Sequence, residues 1–334
     1  VDSWLVYKLT GGRHVTDHSN AARTQLYALD EADWSDELLE IFGVPRKVLP
    51  EILSSDADFG ETAPGLPVPA GVPIRAVMGD SHAALFGHGI ERPGEAKVTC
   101  GTGSSLMMLT EERTPSLRGL SSTVAWCRAG RLSYALEGNI TVSGQTIAFV
   151  RRLLGIASER ELEALAQTVP GSGGVRLVPA LAGLGAPYWD TDARGMISGM
   201  DHSTMPAHLA RAAYEAVALQ IRDVFSAMEA DSGRRVPFLS VDGGAAASDF
   251  LMELLAGLLD RPVHRMERTE VSALGVARMA GEGAGLAMPP AGAGAVTAFK
   301  PAMAASVREA VVKEWDEAVQ RARFDPGRGA RAAR

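Results

Sequence analysis

The sequence contains 334 residues, with 40 acidic and 33 basic side chains and a formal net charge of −7. This length favours more than one domain, and the acidic balance argues against a general surface for nucleic acid or anionic membranes. Its apolar runs are short and interrupted by glycine, so we predict no transmembrane segment. The two cysteines, Cys100 and Cys127, form no metal-binding motif, and their scarcity is typical of a reducing cytoplasm.

Residues 1–92 combine helical and extended patterns with polar and proline-rich turns. A mostly apolar run at residues 74–78 predicts a strand that leads into Gly79 and Asp80. The sequence Glu-Arg-Pro-Gly at residues 91–94 is typical of a connector, so we place a domain boundary between residues 92 and 93. The helices predicted in this first block cover residues 4–9, 34–42 and 81–87.

From residue 93 onward, strands and helices alternate, which predicts an α/β fold. The final helix carries an apolar stripe from Val307 to Ala322, typical of a helix that docks on a core. Residues 324–334 are rich in arginine and lack periodicity, so we predict a basic tail there. Further strands are predicted at residues 132–136 and 238–241, and helices at residues 141–154, 208–232, 248–259, 273–281 and 304–322.

The most informative segment combines a carboxylate with a glycine turn. Asp80 follows a predicted strand, and Thr102 stands between Gly101 and Gly103 where two predicted strands meet. Successive backbone N–H groups in such a turn form an anion-binding concavity, and glycine lets a ligand approach closely. An acid beside a phosphate-binding turn suggests phosphoryl transfer from a nucleotide to a hydroxyl. The alternative for Asp80, from the pattern alone, is a helix N-cap.

A second glycine turn follows the predicted strand at residues 238–241. The sequence there is Asp242-Gly243-Gly244, and a helix is predicted to begin at Ser248. Paired glycines before a helix leave room for a base or a phosphate, which the helix N-terminus also favours. Many α/β proteins use the same pair only to turn tightly, so the motif alone leaves both interpretations open.

Together these segments resemble the FGGY family of carbohydrate kinases, which includes glycerol kinases and other sugar kinases. The resemblance is most specific at residues 195–200, Gly-Met-Ile-Ser-Gly-Met, and at residues 208–215, His-Leu-Ala-Arg-Ala-Ala-Tyr-Glu. Further similar segments are residues 4–10, 16–24, 39–50, 79–87, 101–103, 134–138, 179–190, 241–244 and 273–281.

The resemblance implies an actin-like (ribonuclease H-like) α/β fold of two domains, with ATP and a sugar meeting in the cleft between them. Residues 1–92 would then be the C-terminal portion of the sugar-binding domain, and residues 93–334 the nucleotide-binding domain with its final docking helix and basic tail. Measured against the family, we expect the first part of domain one to be missing before Val1. That part would hold the first phosphate-binding hairpin and several sugar contacts.

The resemblance also implies a catalytic role for Asp80. As general base it would take the proton from the substrate hydroxyl while that oxygen attacks the γ-phosphoryl group. Mg²⁺ would bridge the phosphates, with Asp80 touching its water shell. The nucleotide contacts that the resemblance implies are Gly101, Thr102, Gly103, Gly144, Gly244, Ala245 and Ser248. Ser248 stands where glycerol kinases usually carry asparagine against the adenine, so this contact is less specific.

Three positions on the substrate side differ from glycerol kinases. His18 replaces a tyrosine, Ser81 replaces a glutamine after the catalytic aspartate, and Ser105 replaces an aromatic residue after the Gly-Thr-Gly turn. Smaller or differently polar groups suggest a roomier pocket that suits a longer polyol or a ketose. We therefore expect a sugar or polyol kinase, with Asp80, Ser81 and His18 at the substrate, and keep glycerol as the alternative.

Other hypotheses use the same fold differently. One is a non-catalytic actin-like protein that binds sugar or ATP, although a pure binder needs no base. Another is an actin- or chaperone-type ATPase that acts on partner proteins. His82 and His88 have poor spacing for a metal site, and we interpret Glu137 as a strand residue rather than a second catalytic acid. A cytoplasmic protein is expected, and homo-oligomerisation is left open.

Overall fold

The computed structural model describes residues 1–268, 270–289 and 294–323, and it has a mixed α/β architecture. The predicted basic tail at residues 324–334 lies outside this range. Within the described residues, no helix combines the length and apolar character that crossing a membrane requires.

Short helices and very short strands make up the first block. Its elements are α1 (Asp2–Thr10), β1 (Val15–Asp17), α2 (His18–Ala21), β2 (Tyr27–Ala28), β3 (Asp33–Trp34), α3 (Asp36–Phe42), β4 (Glu51–Leu53) and α4 (Asp80–Gly87). Ser35 caps the start of α3 by accepting a hydrogen bond from the Leu38 N–H. Gly43 ends the same helix in the left-handed conformation that glycine adopts without strain.

The strand predicted at residues 74–78 is wrong. This segment forms isolated hydrogen bonds instead of a ladder: the Ile74 carbonyl accepts from the Phe59 N–H at 3.0 Å, and the Val77 N–H donates to the Ser55 carbonyl at 3.2 Å. Ile74 and Val77 pack in a small cluster around Phe59, which is fully buried, whereas Ala76 and Met78 pack against a second cluster that includes Phe86. The apolar pattern therefore indicated burial correctly, but no regular neighbouring strand pairs with the segment among the described residues.

The second block supplies the large sheet and the long helices. Its elements are β5 (Ala96–Cys100), β6 (Ser104–Thr110), β7 (Ser121–Arg128), β8 (Arg131–Ile140), α5 (Gly144–Leu153), α6 (Glu159–Ala166), β9 (Arg176–Val178), β10 (Met196–Ser198), α7 (Pro206–Ser232), β11 (Leu239–Asp242), α8 (Asp249–Leu259), β12 (Val263–Met266), α9 (Val271–Gly283), β13 (Val296–Phe299) and α10 (Ala305–Arg323).

One mixed sheet organises this block, with the strand order β13-β12-β11-β5-β6-β8-β7. β11 runs parallel to both β12 and β5, whereas β5, β6, β8 and β7 pair antiparallel. Asp242 lies opposite Thr99 in the β11–β5 register. The residues that follow β5 and β11 therefore leave the sheet at the same edge, as the carboxyl ends of parallel neighbours must.

Helix packing joins the first block to the second. A Cβ atom on Gly275 in α9 would lie 1.8 Å from the carbonyl oxygen of Ala83 in α4, and one on Gly87 would lie 2.3 Å from the Val271 carbonyl oxygen. Only glycine permits this close approach of two helix backbones. The helix that begins with Asp80 is thus fixed against the block that carries the sheet.

The C-terminal helix α10 docks as predicted over its middle and end. Trp315 is fully buried, and its indole N–H donates to the Asp223 carboxylate in α7 at 2.7 Å. Ala318 and Val319 are buried beside it. Val307, which the predicted stripe included, is instead half exposed, so the docked face starts later in the helix than the sequence pattern suggested.

Candidate active site

The Gly-Thr-Gly turn (residues 101–103) connects β5 to β6 in the predicted tight hairpin. Cys100 pairs with Ser104, and the Gly101 N–H donates to the Gly103 carbonyl at 2.9 Å. Thr102 is exposed at the tip. A Cβ on Gly103 would lie 2.5 Å from the Ile140 carbonyl oxygen, so this glycine allows the turn to pack on the end of β8.

The start of α5 supports the same turn. The Thr102 carbonyl accepts hydrogen bonds from the N–H groups of Ser143 and Gln145, at 3.0 and 3.2 Å, and the Gly101 carbonyl accepts from the Gly144 N–H at 3.1 Å. These N–H groups at the helix N-terminus are thereby satisfied by protein carbonyls. A ligand at this point would meet the exposed tip of the turn rather than free amides of α5.

Close backbone contacts bring the glycine turns together. A Cβ on Gly144 would lie 2.5 Å from the Gly101 carbonyl oxygen and 3.6 Å from the Cβ of Ala245. Gly243 has φ of +95°, and a Cβ there would lie 2.5 Å from the Cys100 carbonyl oxygen. The Gly-Gly turn (residues 243–244) and the start of α5 therefore flank the Gly-Thr-Gly turn on two sides.

These turns line a cleft with a volume of about 760 Å³. Six of the seven residues predicted to contact a nucleotide lie on its wall, namely Gly101, Thr102, Gly144, Gly244, Ala245 and Ser248. Gly103, the seventh, lies behind the turn against β8. The Ser248 hydroxyl accepts a hydrogen bond from the Leu251 N–H at 3.0 Å. Ser248 therefore caps the N-terminus of α8 in addition to lining the cleft.

The opposite rim of the cleft contains residues that we did not predict. Glu159, Arg160 and Glu163 come from α6, and the buried Tyr214 comes from α7. The Tyr214 hydroxyl donates to the Glu159 carbonyl at 3.4 Å, which ties the two helices together. Charged residues on a short amphipathic helix look like an ordinary solvated face in the sequence, so no local signal could have identified them.

Asp80 is the first residue of α4 and lies outside the lining of this cleft. Its side chain is exposed, and one carboxylate oxygen accepts from the Ser81 N–H at 2.6 Å. The Ser105 hydroxyl in β6 lies 3.4 Å from the Ser81 hydroxyl. The first turn of α4 is thus in contact with the strand that follows the Gly-Thr-Gly turn.

A buried lysine lies in the strand that leads into the Gly-Thr-Gly turn. Lys97 in β5 is fully buried, and its side-chain amine donates to the Thr99 hydroxyl at 3.1 Å. Burial lowers the pKa of Lys97, while the carboxylates of Asp242, Glu137 and Asp80 act in the opposite direction. The charge state of this side chain is therefore set by a balance between burial and nearby carboxylates from both blocks.

His18 and Glu137 have partners of their own. The His18 Nδ1 atom lies 2.7 Å from the Tyr27 hydroxyl, and burial lowers the pKa of His18, which keeps its ring neutral. Glu137 is buried in β8 and forms an ion pair with Arg23 at 2.7 Å, consistent with a strand residue. The predicted contact of His18 with a substrate stays a prediction, although its neighbour Ser19 reaches the Gly79 N–H at 2.9 Å.

The two histidines considered for a metal site also have ordinary surroundings. The His88 Nδ1 atom lies 2.7 Å from the Ser240 hydroxyl, and its Nε2 atom lies 3.3 Å from the Asp242 carboxylate. His82 is buried against Thr123, and burial lowers its pKa to about 3. Across the part of the chain that the structure describes, no cluster of three or more histidine, cysteine or acidic residues has the arrangement of a metal site.

Comparisons with known proteins agree with this architecture. The chain is 48% identical over 326 residues to a glycerol kinase from Alkalilimnicola ehrlichii and covers 96% of itself and 66% of that relative. Its structure matches a Plasmodium falciparum glycerol kinase crystallised with ADP, with a TM-score of 0.90, 30% identity and coverage of 97% and 66%. A gluconate kinase from Lactobacillus acidophilus shares the fold at 21% identity, with a TM-score of 0.89 and coverage of 98% and 68%.

The chain thus spans about 66% of the length of the curated relatives that it matches. Two sequence models cover most of it. The N-terminal domain of the FGGY family of carbohydrate kinases matches residues 1–87, and the C-terminal domain of the same family matches residues 96–284. The α/β fold, the glycine-lined cleft and these matches agree with one another, and the chain belongs to the FGGY family of carbohydrate kinases.

Proposed function

We propose that this chain carries the catalytic cleft of an ATP-dependent phosphotransferase that acts on a hydroxyl of a small polyol or sugar. The observation that supports this most directly is the contact between Ser81 and Ser105, because it joins the helix that begins with the exposed Asp80 to the strand that follows the Gly-Thr-Gly turn of the cleft. A phosphotransferase needs both a cradle for phosphates and a group that orients the attacking hydroxyl. A protein that only binds sugar needs no such carboxylate.

In this proposal Asp80 is the general base. Its exposed carboxylate accepts a hydrogen bond from the acceptor hydroxyl, orients that oxygen and takes its proton as the oxygen bonds to the γ-phosphorus. The bond from the γ-phosphorus to the bridging oxygen breaks, and ADP leaves with that electron pair. Lys97 is fully buried, and burial lowers its pKa, so this chain's described contacts give it no direct part in the step.

The glycine turns would hold the nucleotide. The tip of the Gly-Thr-Gly turn offers the Thr102 hydroxyl to the phosphates, and Gly244 and Ala245 leave space for the adenosine. Mg²⁺ fits this donor set, because it binds proteins through one or two carboxylates together with substrate phosphates and waters, and Asp80 offers an exposed carboxylate. When bound, the ion would neutralise phosphate charge, with Asp80 in contact through water.

Two observations bear on the acceptor. The curated relatives at 45–48% identity are named glycerol kinases, which favours glycerol. The contact between the small side chains of Ser81 and Ser105 favours a second candidate, a longer polyol or a ketose, because small hydroxyl groups leave room for further carbons. The shared chemistry is transfer to a hydroxyl of a small polyhydroxylated molecule.

The test is a coupled ADP-release assay with ATP and Mg²⁺ across glycerol, tetritols, xylulose, ribulose and gluconate. We expect turnover that depends on one of these acceptors and that Asp80→Asn abolishes. Acceptor binding by calorimetry without acceptor-dependent turnover would instead support a non-catalytic sugar-binding protein. ATP hydrolysis that is indifferent to every acceptor would support an ATPase that acts on other partners.

A further inference from the structure

A fully buried carboxylate lies directly behind the Gly79–Asp80 turn. Asp17 ends β1, caps α2 and is 0% exposed, yet no cation pairs with it among the described residues. Its two oxygens instead accept five hydrogen bonds, which come from the Ser19 N–H and hydroxyl, the Asn20 N–H and side-chain amide, and the Ser55 hydroxyl, at 2.7–3.0 Å. Burial raises the pKa of Asp17, and these hydrogen bonds act in the opposite direction by stabilising the ionised carboxylate, which is an acceptor only.

Two of these donors are serine hydroxyls, and each of them also accepts a hydrogen bond from a backbone N–H. The Ser19 hydroxyl donates to Asp17 at 3.0 Å and accepts from the Gly79 N–H at 2.9 Å. The Ser55 hydroxyl donates to Asp17 at 2.7 Å and accepts from the Cys127 N–H, near the end of β7, at 3.1 Å. Both serines are 0% exposed. Asp17 is therefore the common anchor of the Gly79–Asp80 turn and of an edge strand of the large sheet.

The Ser19 hydroxyl holds Gly79, the residue that precedes the proposed base Asp80. The Gly79 carbonyl is already occupied by the Ala83 N–H at 2.8 Å, so the bond to Ser19 fixes the other side of the same peptide segment. A Cβ on Gly79 would also lie 2.7 Å from the His82 Nδ1 atom, so a larger residue could not stand here without moving the His82 ring. The direction in which Asp80 leaves the turn depends on these restraints.

We propose that Asp17 and Ser19 are positioning residues that act on phosphoryl transfer through the Gly79–Asp80 turn without touching either substrate. This inference rests on the proposed role of Asp80. Misplacement of a reacting group by about 1 Å can cost on the order of a hundredfold in rate, so a buried restraint one residue away from the base can affect turnover.

The two serines provide a matched test. Ser19→Ala and Ser55→Ala each remove one donor to Asp17 and one acceptor of a backbone N–H, and each leaves Asp17 with hydrogen bonds from other donors. Only Ser19→Ala releases the Gly79 N–H. Asp17→Asn should have a larger effect on kcat, but its amide NH₂ group would face the donors that converge on Asp17, which would destabilise the fold. The test therefore relies on the two serine variants.

We expect Ser19→Ala to lower kcat about tenfold with the KM for ATP within about twofold of the unmodified chain, because the base is misaligned while the nucleotide cleft is intact. Ser55→Ala should keep kcat within about twofold, even where thermal denaturation shows a comparable loss of stability. Equal losses of kcat in the two variants would overturn the proposal, since they would show that Asp17 only stabilises the fold.

Amide hydrogen exchange tests the positioning independently of activity. Peptides that cover residues 78–85 should exchange faster in Ser19→Ala than in Ser55→Ala, and peptides around Cys127 should show the reverse. If no acceptor supports turnover by the unmodified chain, the proposed function fails, while the exchange data still decide whether Ser19 holds the turn. Unchanged exchange at residues 78–85 in Ser19→Ala would overturn the positioning role.

Discussion

The two proposed binding regions are built in different ways. In the region proposed for the nucleotide, the glycine turns meet backbone to backbone: Gly144 packs on Gly101 and Gly243 packs on Cys100 with no side chain between them. In the region proposed for the acceptor, side chains make the contacts, because serines from distant parts of the chain bond to Gly79 and Ser81 on either side of the exposed Asp80. A backbone surface suits a ligand common to a whole family, whereas a side-chain surface can change its acceptor by substitution.

Because of this difference, we expect substitutions on the two sides to affect stability, ligand affinity and turnover differently. On the nucleotide side, added atoms collide with backbone, so affinity and stability should fall together wherever the glycine is packed. On the acceptor side, a side chain can change without disturbing the fold, so turnover and specificity should respond while stability is kept.

The largest effect is expected from Asp80→Asn. The amide keeps the shape of the side chain but cannot take a proton, so kcat should fall by on the order of a thousandfold. Nucleotide affinity should stay within about twofold, because the cleft wall that holds it does not include Asp80. Steady-state kinetics together with calorimetric titration of ADP provide the measurement. A variant that retains kcat would remove Asp80 from the role of base.

An intermediate effect is expected from alanine at two glycines of the cleft wall. In Gly144→Ala the new Cβ lies 2.5 Å from the Gly101 carbonyl oxygen, so the Gly-Thr-Gly turn must shift. We expect about 1–3 kcal/mol lower stability together with at least tenfold weaker ADP binding.

Gly244→Ala is the matched variant, because nothing lies within 4 Å of its Cβ and the residue faces the cleft. Its stability should change by less than about 0.5 kcal/mol, whereas ADP binding should weaken as the methyl group takes ligand space. Thermal denaturation and ADP titration of both variants give the comparison. If Gly244→Ala bound ADP as tightly as the unmodified chain, the Gly-Gly turn would serve only as a tight turn.

The sequence could predict well which glycine turns meet at the cleft, because their signals are local. A glycine between two strands, or a glycine pair before a helix, places backbone where a ligand can approach, and the structure brings Gly101, Gly144 and Gly244 to one wall. The α/β fold and the final docking helix were likewise predictable from periodicity. The family resemblance supplied the residue roles that periodicity alone could not.

The acceptor side was predicted less completely, because its structure depends on contacts between distant residues. Asp17 lies 38 positions before Ser55, and Ser19 lies 60 positions before Gly79, so no sequence window contains the network. The segment at residues 74–78 shows the same dependence on distant residues. Its apolar pattern predicted burial, but the formation of a β-ladder also requires a neighbouring strand, which the pattern does not specify. Glu159 and Arg160 were missed because their charges look like a solvated helix face.

The smallest effect, and the one specific to the acceptor side, concerns Ser81 and Ser105. Their hydroxyl groups lie 3.4 Å apart between α4 and β6, so enlarging either should fill space next to Asp80. With Ser81→Gln and Ser105→Phe combined, we expect the ratio of kcat/KM for glycerol to kcat/KM for a tetritol to rise about tenfold, chiefly through loss of activity on the longer acceptor.

Because the two side chains are in contact, the effects of the single variants on this ratio should not add up to the effect of the double variant. ADP binding should be unchanged in all three, since neither serine lines the nucleotide cleft. A ratio that stays within about twofold would show that acceptor length is selected elsewhere, and the two serines would then serve only to join α4 to the sheet.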